Sequence, residues 1–140
     1  QVDSTSSQCG AEGSAVEGLK ILAVDIVSSP RVARDPQLRR VVEWIERERP
    51  DLVFGDFNAP RTSLALTHLP AGYRHAYEVA GSGWSATWPS FLSLWQIDHS
   101  ILGPAIEPVR YSFFFSRASD HRGQRLEFSR ALAPASGVVE

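Results

Sequence analysis

The sequence predicts an α/β fold built on one mixed sheet with a βαβ unit, and two observations carry that expectation. The first is a strand–helix–strand run between Leu19 and Phe57. The second is a later series of strand-like runs separated by short turns, with no helical period between them. Together they imply about five strands in one sheet, with helices flanking it.

Leu19 to Val27 reads Leu-Lys-Ile-Leu-Ala-Val-Asp-Ile-Val, a β-rich run of buried-strand character. Ser28 to Arg34 is a loop. At Asp35-Pro36 a capping residue precedes a proline suited to the first helical position. Leu38, Val41, Val42 and Ile45 then fall on one apolar helix stripe, and Pro50 stops a helix spanning Asp35 to Arg49. Asp51 to Phe57 is a second strand, so the two strands run parallel with a right-handed crossover. Arg61 to Leu69 reads as a short helix capped by Thr62 or Ser63. Pro70 to Leu94 is rich in Gly, Ser and Trp and poor in period; a connection that long is usually functional. Strand-like runs resume at Gln96–Leu102, Val109–Phe115 and Gln124–Arg130, and the last alternates, with Leu126 and Phe128 on one face. Residues 1–18 read as a flexible leader, 19–132 as one domain and 133–140 as a tail.

The 140 residues suffice for one domain, and 43% hydrophobic content is ample for a core. A formal charge of −2 excludes a chain that holds duplex phosphates as a polycation, so any nucleic-acid contact must be local. Lys20 is the only lysine among 14 basic residues. Arginine suits phosphate, but a compositional bias explains the excess better. Cys9, the only cysteine, excludes an internal disulfide and a cysteine-based zinc site. No apolar run reaches membrane-spanning length and no signal peptide is visible. With no methionine in the chain, residue 1 is not expected to be a native start, which leaves the localisation open.

Three acidic motifs sit where strands end: Gly55-Asp56-Phe57-Asn58, Ile97-Asp98-His99 and Ser119-Asp120-His121. Taken singly, each is ordinary turn chemistry. Together they match what phosphodiester hydrolysis requires. A divalent metal neutralises phosphoryl charge and activates water, and hard magnesium takes carboxylate and amide oxygens. A carboxylate serves as base, and an imidazolium oriented by a carboxylate donates to a phosphoryl oxygen. A serine-hydrolase reading fails, because no Gly-x-Ser-x-Gly is present.

These motifs, with Thr87-Trp88-Pro89 among them, resemble the ordered C-terminal signatures of the endonuclease/exonuclease/phosphatase superfamily, over about Leu19 to Arg130. Arg34, Gln37 and Leu38 also stand where that pattern places an arginine loop and a Gln-Leu helix. The resemblance implies half of a DNase-like four-layer α/β sandwich. It implies that Asp56 orients or deprotonates the attacking water and that Asn58 donates to the phosphoryl oxygen or the nucleophile. Asp98 would lock His121, the charged donor to the scissile phosphate. Asp56 and Asp120 would hold Mg2+ (or Mn2+), and Arg61, Thr87, Trp88 and Arg122 would contact substrate.

Two departures stand out. Members of the superfamily run to roughly 250 residues as one domain, and their first half supplies an Asn and a Glu that this chain starts after; Asn58 is its only asparagine. The strand that usually ends in a catalytic histidine carries Asp25 instead. The expected function is therefore metal-dependent phosphodiester hydrolysis of nuclease type, possessing half of the usual site. The alternatives are a non-catalytic fragment binding phosphate or a protein partner, and a phosphomonoesterase on a small substrate. A lone half leaves an apolar sheet face bare, so a homodimer is expected, with Ile21, Ala23, Val53, Ile101, Phe113, Phe115, Leu126 and Phe128 as candidates for that face. Trp84, Trp88 and Trp95 fall on the long loop, where packing beneath it is the stronger reading over stacking on a base. His99 is expected on the face opposite Asp98, and His68 and His75 at the surface.

Overall fold

The computed structural model describes residues 18–29 and 31–130. The expected leader, apart from Gly18, the tail from Ala133, and Cys9 lie outside the described residues. In chain order the elements are β1 (Ile21–Asp25), α1 (Asp35–Glu48), β2 (Leu52–Asp56), β3 (Arg74–His75), α2 (Ala76–Ala80), β4 (Asp98–Leu102), β5 (Ile106–Phe114) and β6 (Gly123–Arg130).

A four-stranded mixed sheet has the order β1-β2-β4-β3, with β1 and β2 parallel and the other pairs antiparallel. The fold is the mixed α/β class expected. One part of the topology differs: β5 and β6 do not join this sheet but pair with each other as a separate antiparallel ribbon. The reason lies in β3, a two-residue strand too short to signal itself in sequence. With β2 on one edge of β4, β3 takes the other edge at Ile101 and Leu102, the end where β5 follows in the chain.

Helix α1 begins differently from the sequence reading. Arg34 occupies the N-cap with no side-chain cap, and Asp35 sits inside the first turn, paired with Arg39 at 2.7 Å. The left-handed Arg49 ends it, its N–H donating to the Ile45 carbonyl. Leu38, Val41 and Ile45 are buried against Leu22, Val24, Val53 and Ile101 from one face of the sheet. Ribbon β5–β6 packs on the other face, where Ile106, Tyr111, Phe113, Leu126 and Phe128 gather around Leu52 and Leu102. The expected helix at Arg61–Leu69 is a succession of turns, closed by bonds such as Ser63 N–H to Pro60 O and Leu66 N–H to Ser63 O.

The ribbon covers only part of its face. In β1 only alternate residues are buried, so the run is not the doubly covered strand expected: Ala23 and Asp25 are exposed, and Phe54 beside Ala23 on β2 is 41% exposed. The register also divides the residues expected to form one bare face. Val53 pairs with Leu22 and Ile101 and is buried under the helix, whereas Ala23 lies on the opposite side with Phe54. Phe113, Leu126 and Phe128 belong to the ribbon's own core. The uncovered face is thus smaller than expected and centres on Ala23 and Phe54.

Candidate active site

The register of the sheet builds the site. Asp25 pairs with Asp56 across β1–β2, and Asp56 with Asp98 across β2–β4, which sets three carboxylates in a row at one end of the sheet. Gly55 makes the row possible. Its φ is 145°, and a Cβ there would lie 1.9 Å from the Val24 carbonyl oxygen, so any other residue would push β2 away from β1. Phe57 turns into the core at 0% exposure, and the chain leaves the strand through Asn58 in a left-handed conformation, φ 46°.

Asn58 holds Asp56 in place. Its N–H donates to Asp56 Oδ1 at 2.8 Å, and its side-chain amide donates to Asp56 Oδ2 at 3.0 Å and to the Ile26 carbonyl at 2.7 Å. Both amide hydrogens are thereby engaged. Asn58 thus ties the Asp56 carboxylate to the end of β1.

His121 lies between two of the carboxylates. Its Nδ1 donates to Asp98 Oδ2 at 2.8 Å, and its Nε2 is 3.9 Å from Asp56 Oδ2. Burial works against the imidazolium, but the hydrogen bond and charge of Asp98, joined by the charges of Asp56 and Asp120, outweigh it and hold the His121 pKa above its ordinary value. Burial raises the Asp56 pKa above the usual carboxylate range, and the charges of Asp98 and Asp25 add to this against the opposing effects of the Asn58 N–H and His121. The arrangement can present a charged N–H donor at Nε2 beside a carboxylate of unusually high basicity.

Asp98 is positioned from below. The fully buried Thr87 accepts at Oγ1 from the N–H groups of Ile97 (3.2 Å) and Asp98 (3.3 Å), while its carbonyl accepts from Arg122 N–H at 2.8 Å. Thr87, expected as a substrate contact, is instead a buried brace joining the strand of Asp98 to the segment of His121. Arg122 likewise spends its guanidinium on the carbonyls of Trp84, Ala86 and Phe113, at 3.1–3.2 Å. Arg61 pairs with Glu78 at 3.2 Å and also binds Gln96. Both arginines thus have protein partners where the sequence suggested phosphate.

Asp120 is exposed and accepts from Trp88 Nε1 at 3.0 Å, a bond that lowers its pKa. Among the described residues, Asp56, Asp98 and His121 form a group whose ligand atoms lie within 4.8 Å of one another; Asp120, expected to share a metal with Asp56, is not in it. Of those three, His121 is already committed to Asp98 and is held toward its protonated form, which cannot ligate a metal. The oxygen donors of that group are Asp56 and Asp98, with Asp25 next to Asp56 in the strand register but outside the group, and the surplus negative charge that raises the Asp56 pKa is what a hard cation would relieve. The residues present fit a divalent ion with few protein ligands.

His99 points away from Asp98, as strand alternation requires. It is buried, its Nε2 donates to the Ala59 carbonyl at 2.7 Å, and burial brings its pKa down to about 4. His75, expected at the surface, is buried beside it, with ring centroids 6.0 Å apart and Nε2 bonded to the Leu66 carbonyl at 3.0 Å. The tryptophans reverse the packing expectation: Trp84 is 67% and Trp95 53% exposed, and Trp88 stacks against Trp95 at 5.6 Å. The sequence reading missed the brace at Thr87 and the tie between Trp88 and Asp120. The one available signal was that Thr-Trp-Pro interrupts an otherwise patternless loop.

The fold defined by this sheet, helix and ribbon is one half of a two-sheet α/β sandwich. Among solved structures it is that of the endonuclease/exonuclease/phosphatase proteins. The chain superposes on the endonuclease/exonuclease/phosphatase from Bacteroides vulgatus with a TM-score of 0.62 and 20% identity, over 82% of this chain and 51% of that one. D. rerio TDP2 complexed with single-strand DNA product gives 0.61 and 21%, over 79% and 56%. A Bacteroides thetaiotaomicron mannosyl-6-phosphatase gives 0.57 and 20%, over 81% and 52%. The chain spans about half the length of the solved structures it matches. No family model and no curated protein matches the sequence.

Proposed function

We propose that the protein hydrolyses phosphate esters of the phosphodiester class with the help of a divalent metal. The observation that carries this reading is the His121 ring held by Asp98 at 2.8 Å, with Nε2 turned toward Asp56. Asp56 orients and deprotonates the attacking water, and its raised pKa makes it a stronger base than an ordinary carboxylate. His121, kept protonated by Asp98, donates from Nε2 to a phosphoryl oxygen and stabilises charge that builds up there. Asn58 and Thr87 position these two groups. Asp56, with Asp25 beside it, would hold Mg2+ or Mn2+, and Asp120 would act from the outer shell; the ion would supply Lewis-acid stabilisation of phosphoryl charge.

The nuclease form of the reading draws support from the single-strand DNA product bound by a protein of the same fold. The engagement of Arg61 and Arg122 by protein partners weighs against a nucleic-acid track at this site. Turnover of plasmid DNA, RNA and a chromogenic phosphodiester, with and without metal and beside Asp56→Ala, tests the proposal. Hydrolysis that requires both metal and Asp56 supports it, and metal-independent turnover or an active Asp56→Ala protein overturns it.

We also propose a homodimer through the uncovered face at Ala23 and Phe54, which would bring a second set of site residues near the first. Light scattering coupled to size exclusion decides this: a folded monomer of 15.4 kDa at high concentration overturns it.

A further inference from the structure

Strands β4 and β6 belong to different sheets, and among the described residues no backbone hydrogen bond joins them. Side chains make the crossing instead. Asp98 and Ser100 alternate onto the ribbon side of β4, the side of Leu102. Asp98 accepts from His121, which lies two residues before β6, and Ser100 Oγ donates to Gln124 Oε1 at 2.9 Å. The Tyr111 hydroxyl, from β5, donates to the same Oε1. Residues 115–120, which lead to His121, are exposed apart from the half-buried Ser116. That segment offers the imidazole little packing of its own, so the anchors that follow it matter more.

We propose that Gln124 is a positioning residue: with Ser100 and Tyr111 it forms a second rung between β4 and β6 that holds His121 at bonding distance from Asp98. Three features select this role over plain packing. Gln124 falls in the phase of Leu126 and Phe128, the inward side of β6, where packing alone calls for an apolar residue. The groups it binds are themselves deep, since Tyr111 is fully buried and Ser100 nearly so. Burying polar groups there is costly unless they are bonded, and both hydroxyls donate while both lone pairs of Oε1 are filled. A satisfied cluster of this kind fixes one geometry where apolar contact tolerates sliding. Finally, Tyr111 is itself held. Its ring meets Tyr77 and Phe113 edge-on at 6.5 and 5.1 Å, and its carbonyl accepts from Ser82 N–H at 2.9 Å. Burial pushes its phenol pKa far above the ordinary value, and the Asp98 charge adds to this against the Ser100 hydrogen bond, so the hydroxyl stays a donor.

The consequence for turnover rests on the hydrolytic reading, but the tie itself can be read in the resting full chain. The Nδ1 proton of His121, identified in nuclear magnetic resonance spectra by its loss in His121→Gln, reports the bond to Asp98. Gln124→Met keeps the length of the side chain and removes the shared acceptor. Its His121 Nδ1 proton should exchange with water about tenfold faster than in the wild type. On a chromogenic phosphodiester kcat should fall about tenfold with KM nearly unchanged. Tyr111→Phe keeps the ring and the Ser100 bond, and should show smaller changes in the same direction. Phe128→Ala removes an apolar contact at the far end of the ribbon, opposite Pro108, and should lower the urea midpoint without speeding that exchange. Wild-type exchange in both Gln124→Met and Tyr111→Phe overturns the proposal. So does equally fast exchange in Phe128→Ala, which assigns the effect to global stability. Faster exchange in Gln124→Met alongside a wild type that turns over no substrate supports the tie and sinks the hydrolytic reading alone.

Discussion

The row of carboxylates runs from a finished end to an open one. At Asp98 the strand pairs with β2, the carboxylate is buried, Thr87 braces the backbone and His121 takes the charge. At Asp25 the strand is the edge of the sheet, the side chain is exposed, and neighbouring Ala23 and Phe54 have no cover. Asp56 stands between, tied to both. The difference teaches that the Asp98–His121 pair is braced on every side by this chain, whereas the Asp25 end of the row is open to solvent.

The joint between the two ends is expected to be the most sensitive position. Gly55→Ala drives a methyl into the Val24 carbonyl and should cost roughly 3 kcal/mol or more of stability; urea unfolding near the wild-type midpoint would show that β1 can retreat freely. The helix-covered face should reveal its finish through pH. Burial lowers the His99 pKa in the folded protein to about 4, from the ordinary 6.5. Its folded value lies below the unfolded one, so the unfolded chain binds the extra proton. Stability is then fully present above the unfolded pKa and falls by about 3 kcal/mol as pH drops toward the folded one. Denaturation of His99→Gln, which keeps a donor for Ala59, should lack that acid slope; an unchanged slope would assign it to another group.

Within the finished end, His121→Ala and Asp98→Ala should each lower turnover about a hundredfold, whereas His99→Ala should act mainly on stability. Equal rate losses for His99 and His121 would invert the assignment of faces. Asp98→Asn should also move the alkaline limb of the pH–rate profile to lower pH, because the charge that raises the His121 pKa is gone. Thr87→Val, by freeing the N–H of Asp98, should have a milder effect of the same sign, about tenfold in rate; Thr87→Ser should restore it. At the open end, isothermal titration should find magnesium bound only at roughly millimolar strength, weakened further by Asp25→Asn. A low-micromolar site would mean that the open end is better furnished than it looks.

The parts legible in the sequence were those with a period or a motif. The stripe Leu38, Val41 and Ile45 placed α1 and its buried face, and Gly55-Asp56-Phe57-Asn58 located the turn at the site. Strand alternation separated His99 from Asp98. What escaped was set by pairing at a distance. Two residues of β3 have no pattern, yet they take the edge of β4 at Ile101 and Leu102, and β5 and β6 pair as a separate ribbon. The same holds for the side chains thought to bind phosphate. Thr87 and Arg122 look like ligands in one dimension, and only the fold shows that backbone groups of other segments consume them. The bare-face list erred because Val53 and Ala23 occupy opposite phases of paired strands.

The bond from Trp88 to Asp120 has a use that is independent of any reaction. The indole is hydrogen-bonded to Asp120, the residue that precedes His121, and stacks on Trp95 at 5.6 Å. Indole emission is quenched by a nearby imidazolium and responds to the charge of a hydrogen-bonded carboxylate. Trp88 is therefore a native optical probe of this corner of the site: its fluorescence, isolated by comparison with Trp88→Phe, is expected to respond to the charge of Asp120 and, through it, to the proton on His121, in a sample with no substrate, metal or label.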